Sequence, residues 1–173
     1  DQGHGSNVSG IVSMTAPGTK VLSYDVFTPG GGASWSSLLA ALDSVAAHKR
    51  AGWNIKAVNL SVGVPNDYHT VACSSSPLTS AFATLRSLGV QPVVSSGNSG
   101  GSAGFYRNGV SMPACTPGAL AVGATFDAAY ATHYFASYNC TSTNPQPDQV
   151  TCFSQGGPLV GLLAPGAWID AAG

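Results

Sequence analysis

The chain has 173 residues, of which 44% are hydrophobic and only 8% charged, with a formal net charge of −1. That balance favours collapse over disorder and provides no basic surplus for a phosphate backbone, so nucleic-acid binding is not expected. No apolar run approaches the ~20 residues of a membrane-spanning helix, and the length suits one domain with its own core.

Taken in chain order, residues 5–14 read as a short helix of small and apolar side chains. Thr19 to Phe27 is β-branched and apolar enough for a buried strand, and the three glycines of 28–33 mark a loop. Ser34 is a good N-cap, after which Trp35, Leu38, Leu39, Leu42, Val45 and Ala46 recur at helical spacing until Gly52. Lys56 to Ser61 predicts a strand and Val62 to Ser75 a loop. Ser76 is expected to cap a second helix with Pro77 at its first position. Its stripe is Leu78, Phe82, Leu85 and Leu88, and Gly89 stops it. Val90 to Ser96, Ala119 to Ala124 and Leu159 to Ala164 read as three further strands. Strands alternating with helices over short connections predict an α/β fold, a doubly wound and mostly parallel sheet with helices on both faces. Functional groups then belong in loops at the carboxyl ends of the strands.

Two segments carry candidate chemistry. His4 lies in Gly3-His4-Gly5-Ser6, at the start of a helix of small residues, where an imidazole can serve as a general base. His48 sits beside Lys49 and Arg50 at a helix end, and His69 and His133 have no motif around them. In Val93-Val94-Ser95-Ser96-Gly97-Asn98-Ser99-Gly100, a buried strand is expected to run into a turn that exposes Asn98 and Ser99. Such an asparagine is either a turn former or an amide donor aimed into a cleft. Gly97-Asn98-Ser99-Gly100-Gly101 also fits G-x-S-x-G, the elbow of an esterase or lipase nucleophile. That motif needs a helix directly after the serine, and Gly100-Gly101-Ser102-Ala103-Gly104 is a poor helix start.

Five blocks together resemble the subtilisin-like serine proteases. His4-Gly5-Ser6-Asn7-Val8-Ser9-Gly10 is similar to the family's HGTHVAG histidine block, with Asp1 three residues before the histidine. Asn59-Leu60-Ser61-Val62-Gly63 resembles its N-x-S-L-G substrate strand, and Val93 to Gly100 its VVAAGNxG oxyanion segment. Met112-Pro113-Ala114 through Ala119 to Ala124 resembles the P-A…VIAVGA stretch. Phe153-Ser154, Gly157-Pro158 and Leu163-Ala164-Pro165-Gly166 resemble FS…GP…APG. The blocks occur in the family's order across nearly the whole chain.

The resemblance implies a serine endopeptidase with an Asp-His-Ser triad. His4 would be the general base and Asn98 the side-chain donor to the oxyanion. Ser61 and Gly63 would pair with an extended protein or peptide substrate, and Ser95, Ser96 and Gly97 would wall the primary pocket. It further implies that residues 1–173 are a single partial peptidase domain, incomplete at both ends. The aspartate segment would precede the chain and the G-T-S-M-A serine would follow it, so these residues alone are expected to be inert. A catalytically inactive, peptide-binding relative and an esterase using Ser99 are the alternatives. No cofactor is implied. The Ser13–Tyr24 segment is too short for the family's calcium loop, so no metal is expected there, and any calcium would belong elsewhere in a full-length protein. The even count of cysteines, with few charges, favours a secreted, extracellular protein away from membranes, with disulfides Cys73–Cys115 and Cys140–Cys152. The second pair would tether the polar loop between its cysteines, and the first would stiffen loops flanking the substrate region.

Overall fold

A computed structural model describes residues 3–28, 30–102 and 104–171; Asp1 lies outside them. Four parallel strands form the main sheet: β1 (Ala57–Leu60), β2 (Gln91–Ser95), β3 (Leu120–Thr125) and β6 (Val160–Pro165), in the order β1-β2-β3-β6. Between β3 and β6, a small antiparallel pair is formed by β4 (His133–Phe135) and β5 (Cys140–Ser142). Among the described residues three α-helices accompany them: α1 (His4–Thr15), α2 (Trp35–Arg50) and α3 (Thr79–Ser87). The α/β class and the parallel sheet agree with the sequence.

The helix termini show why these segments fold as they do. Ser34 adopts extended backbone and its Oγ accepts from Ser37 N at 3.0 Å, satisfying one orphan donor of α2. Leu38, Leu42, Val45 and Ala46 face inward from α2, while Phe82 and Leu85 do so from α3. These meet Leu60, Val94 and Ala121 of the sheet in one core. Gly89 ends the α3 turn at φ 73, a conformation costly for other residues.

Three expectations need correction. Among the described residues, Thr19 to Phe27 forms no strand: the one bridge seen there joins Phe27 to Ala33, and Val21 and Leu22 are each 45% exposed. A strand needs a hydrogen-bonded neighbour, and here an apolar groove separates this segment from β1. Ser76 does not cap α3 at its first position, because the helix starts at Thr79 with Leu78 as its N-cap. The buried Ser76 hydroxyl accepts from Leu78 N at 3.3 Å, just ahead of the helix, and from Thr116 Oγ1 at 2.7 Å. The β4–β5 hairpin falls in a stretch with no expected strand; it turns through Ala136–Tyr138 and Asn139 at φ 47.

Both disulfides have the expected pairing, Cys73–Cys115 and Cys140–Cys152. The first is part of the main core. The second belongs to a smaller cluster with Phe126, Phe153 and Ala167.

Candidate active site

The carboxyl ends of β1 and β2 bring the two candidate segments to the same side of the sheet. Gly3, at φ 90, leads into α1 and makes His4 its first residue. The exposed imidazole turns towards the residue that follows β1: His4 Nε2 lies 3.0 Å from Ser61 O. A carbonyl only accepts, so Nε2 carries the proton in this contact. Phe27 meets the ring edge-on, with centroids 6.1 Å apart.

From β2, the chain passes through Gly97 at φ 114 and presents Asn98, which is exposed and makes no side-chain cap bond to the 3₁₀ turn Ser99–Gly101. The two expected walls run side by side and are tied by Ser95 Oγ donating to Val62 O at 3.3 Å. A third segment closes on them: Ser111 N donates to Ser96 O at 2.8 Å. The Ser111 hydroxyl is buried and has no hydrogen-bond partner among the described residues, and it lies 2.8 Å and 2.9 Å from where a Cβ would stand on Gly63 and Gly97. Packing therefore favours glycine at both positions, and at Gly97, with φ 114, the backbone does so as well. Just beyond, Asp67 Oδ2 accepts from Met112 N at 2.7 Å, and the Met112–Pro113 peptide is cis.

Two recesses flank Ser61. One, of about 450 Å³, is lined by His4, Phe27, Trp35, Gly63 and Met112. The other, of about 500 Å³, is lined by Ser95, Ser96, Gly97, Asn98 and Trp168. Ser61 borders both, so His4 and Asn98 stand on either side of it. An imidazole and an amide on the two sides of a backbone-lined slot can move a proton and hold a negative oxygen.

The remaining candidates are placed elsewhere. Ser99, expected to be exposed beside Asn98, is instead 9% exposed, because the chain turns into a 3₁₀ helix there and its hydroxyl accepts from Asn66 N at 3.0 Å. None of the hydrogen bonds seen among the described residues joins it to a histidine. His48 stacks on Trp53, His69 pairs with Asp67 at 3.1 Å, and His133 packs against Trp168. No cluster of three or more His, Cys, Asp or Glu side chains suited to a metal occurs among the described residues. Sequence reasoning gave no role to Ser111, Asp67 or Gln155. Their only signal is proximity in space, since each sits in a loop that reads as polar filler.

No curated protein matches the chain. Solved structures do. The chain is similar to a lanthipeptide protease, at TM-score 0.65 and 17% identity, over 97% of this chain and 44% of that one. It is similar to sphericase, at TM-score 0.56 and 22% identity, over 80% and 43%. It is also similar to the PatG macrocyclase in complex with peptide, at TM-score 0.51 and 22% identity, over 80% and 32%. The chain thus spans less than half the length of these structures, and at such identities the likeness concerns the fold. The family model described as "Subtilase family" matches residues 1–171, and the chain belongs to that family.

Proposed function

We propose that this chain is the central part of the catalytic domain of a secreted serine endopeptidase, with His4 as general base and Asn98 as oxyanion donor. The aspartate and serine of the triad would lie on segments outside residues 1–173. Ser61 and Gly63 would pair with the backbone of an extended peptide, and Ser95, Ser96 and Gly97 would wall the pocket for the side chain beside the scissile bond. The observation that carries this reading is the position of Ser61, with the His4 imidazole held at its carbonyl and Asn98 across the slot.

The tautomer explains why a third group is needed. With Nε2 donating to Ser61 O, the imidazole has its proton on the wrong nitrogen to accept one from a serine. A carboxylate taking the Nδ1 proton selects the tautomer with a free Nε2 lone pair. An apolar groove of about 280 Å³ runs beside His4, between α1, the 21–27 segment and β1, and among the described residues β1 is the edge strand of the sheet. That groove has the character of a seat for one more extended segment, and an acid on it would be within reach of the imidazole. In the reaction, the serine oxygen attacks the carbonyl while His4 takes its proton and returns it to the leaving amine. Asn98 donates its amide to the oxygen that becomes negative. Every step uses side chains, so the chemistry needs no cofactor. Two disulfides in a weakly charged chain support an extracellular setting.

The test uses the complete protein, with Asn98→Leu and Asn98→Gly compared on a peptide substrate. An oxyanion donor acts only as charge develops, so kcat falls by about 10²–10³ in both, as is typical for loss of one such donor. KM stays nearly constant. A turn-forming asparagine would instead tolerate glycine, with kcat per folded molecule intact, and that outcome would overturn the assignment. Fluorophosphonate should label a serine beyond Gly173 and none within the chain. Stoichiometric label on Ser99 would favour the esterase, and peptide binding without any label would favour an inactive relative.

A further inference from the structure

Gln155 lies between Ser154 and Gly156, ahead of β6, and is 1% exposed. A primary amide buried this deeply is costly unless its donors and acceptor are used. All of them are. Nε2 donates to Asp67 O at 2.9 Å and to Gly109 O at 3.2 Å, and Oε1 accepts from Ser99 N at 3.4 Å. The backbone of the same residue is also engaged: Gln155 N donates to Gly97 O at 2.9 Å, and Ser96 Oγ donates to Gln155 O at 2.8 Å.

The pattern of these bonds is specific. Asn98 is bracketed by them, since the carbonyl before it (Gly97) and the N–H after it (Ser99) both bond to residue 155. The carbonyls of Asp67 and Gly109 belong to the two other segments that close the slot. Asp67 passes the tie onward through its carboxylate to Met112 N. Gly97 is itself fitted to this arrangement, because a Cβ there would stand 2.2 Å from Gln155 Oε1.

We propose that Gln155 is the positioning residue for Asn98: its side-chain amide fixes the turn that aims the Asn98 donor and holds that turn in register with the Asp67 and Gly109 segments. The inference rests on the peptidase reading above. In Gln155→Met the volume is nearly kept, but two carbonyls and one N–H lose their partner. In Gln155→Glu the acceptor remains and, when the group is ionised, both donors are gone.

The experiment is a double-mutant cycle on the complete protein, combining Gln155→Met with Asn98→Gly and reading kcat, KM and melting temperature on a peptide substrate. Gln155→Met alone should lower kcat by about tenfold, within the coupling range of residues joined by one hydrogen-bond network, with KM changed less than twofold. In the Asn98→Gly background the same substitution should leave kcat unchanged, since no donor remains to be aimed. If Gln155→Met does not fold, Gln155→Glu takes its place in the same cycle. A lower melting temperature with kcat per folded molecule unchanged would overturn the proposal. So would an equal fall in kcat in both backgrounds, because Gln155 would then act elsewhere. A wild-type protein that cleaves peptides while its Gln155 variants match it refutes this inference alone. A wild-type protein that cleaves nothing refutes the peptidase reading and this inference with it.

Discussion

The two disulfides close loops of different length, and removing them one at a time tests the structure without reference to activity. The separations are 42 residues for Cys73–Cys115 and 12 for Cys140–Cys152. In the chain-entropy model these loops constrain the unfolded state by about 4 and about 3 kcal/mol respectively. All four cysteines are at most 8% exposed, so Cys→Ala replacement removes buried sulfur to a similar extent in each pair. The loop term should therefore decide the order, and Cys73→Ala/Cys115→Ala should lose about 1 kcal/mol more than Cys140→Ala/Cys152→Ala. Urea unfolding at constant temperature measures the difference directly, and the melting temperatures should differ by about 2–4 °C. A larger loss from the Cys140–Cys152 pair would refute the reasoning. It would mean that the small Phe126–Phe153 cluster depends on its cross-link more than loop entropy allows.

Phe82 is fully buried in the main core between α3 and the sheet, so Phe82→Ala should cost about 3–5 kcal/mol in a denaturant titration. The Ser111 hydroxyl is buried without a partner, a state that costs about 1–3 kcal/mol; Ser111→Ala should be neutral or stabilising, and a clear loss of melting temperature would contradict the packing described. The Tyr130 hydroxyl donates to Asp127 Oδ1 at 2.7 Å, and this bond to a carboxylate raises its pKa above the ordinary 10.0. Because the folded value is the higher one, this contribution to stability is complete below pH 10 and is lost as pH rises through the folded value. The wild-type minus Tyr130→Phe ultraviolet titration should show the raised value, and Asp127→Asn should lower it.

How much was legible in the sequence depended on whether the signal was local. The α2 cap is local, since Ser34 and the spacing of Leu38, Leu42 and Val45 lie within a few residues of one another, and the helix begins as expected. The strands β1, β2, β3 and β6 are bounded by their own apolar runs and were readable to within one or two residues. The 19–27 segment carries an equally good strand signal, yet whether it becomes a strand depends on a neighbour rather than on itself. Ser76 is a similar case: its hydroxyl does meet Leu78 N at the entry to α3, but its shorter bond is to Thr116, 40 residues away, and the helix starts only at Thr79.

The site divides along the same line. His4 and Asn98 stand in short motifs whose residue types already specify a proton acceptor and an amide donor, so a reading of the chain finds them. What aims them is distributed. The turn at Asn98 is held by Gln155, which is 57 positions further along; Gln155 also holds Asp67, 88 positions back, and Asp67 in turn holds Met112. No window of sequence contains that arrangement, and Gln155 and Asp67 alone are unremarkable polar residues in loops. Burial separates Gln155 from such residues. An amide at 1% exposure with every polar atom engaged is a demanding thing to keep in a protein interior. Its bonds converge on both sides of Asn98, the side chain proposed as the oxyanion donor, and a residue kept only to fill the loop would not need that convergence.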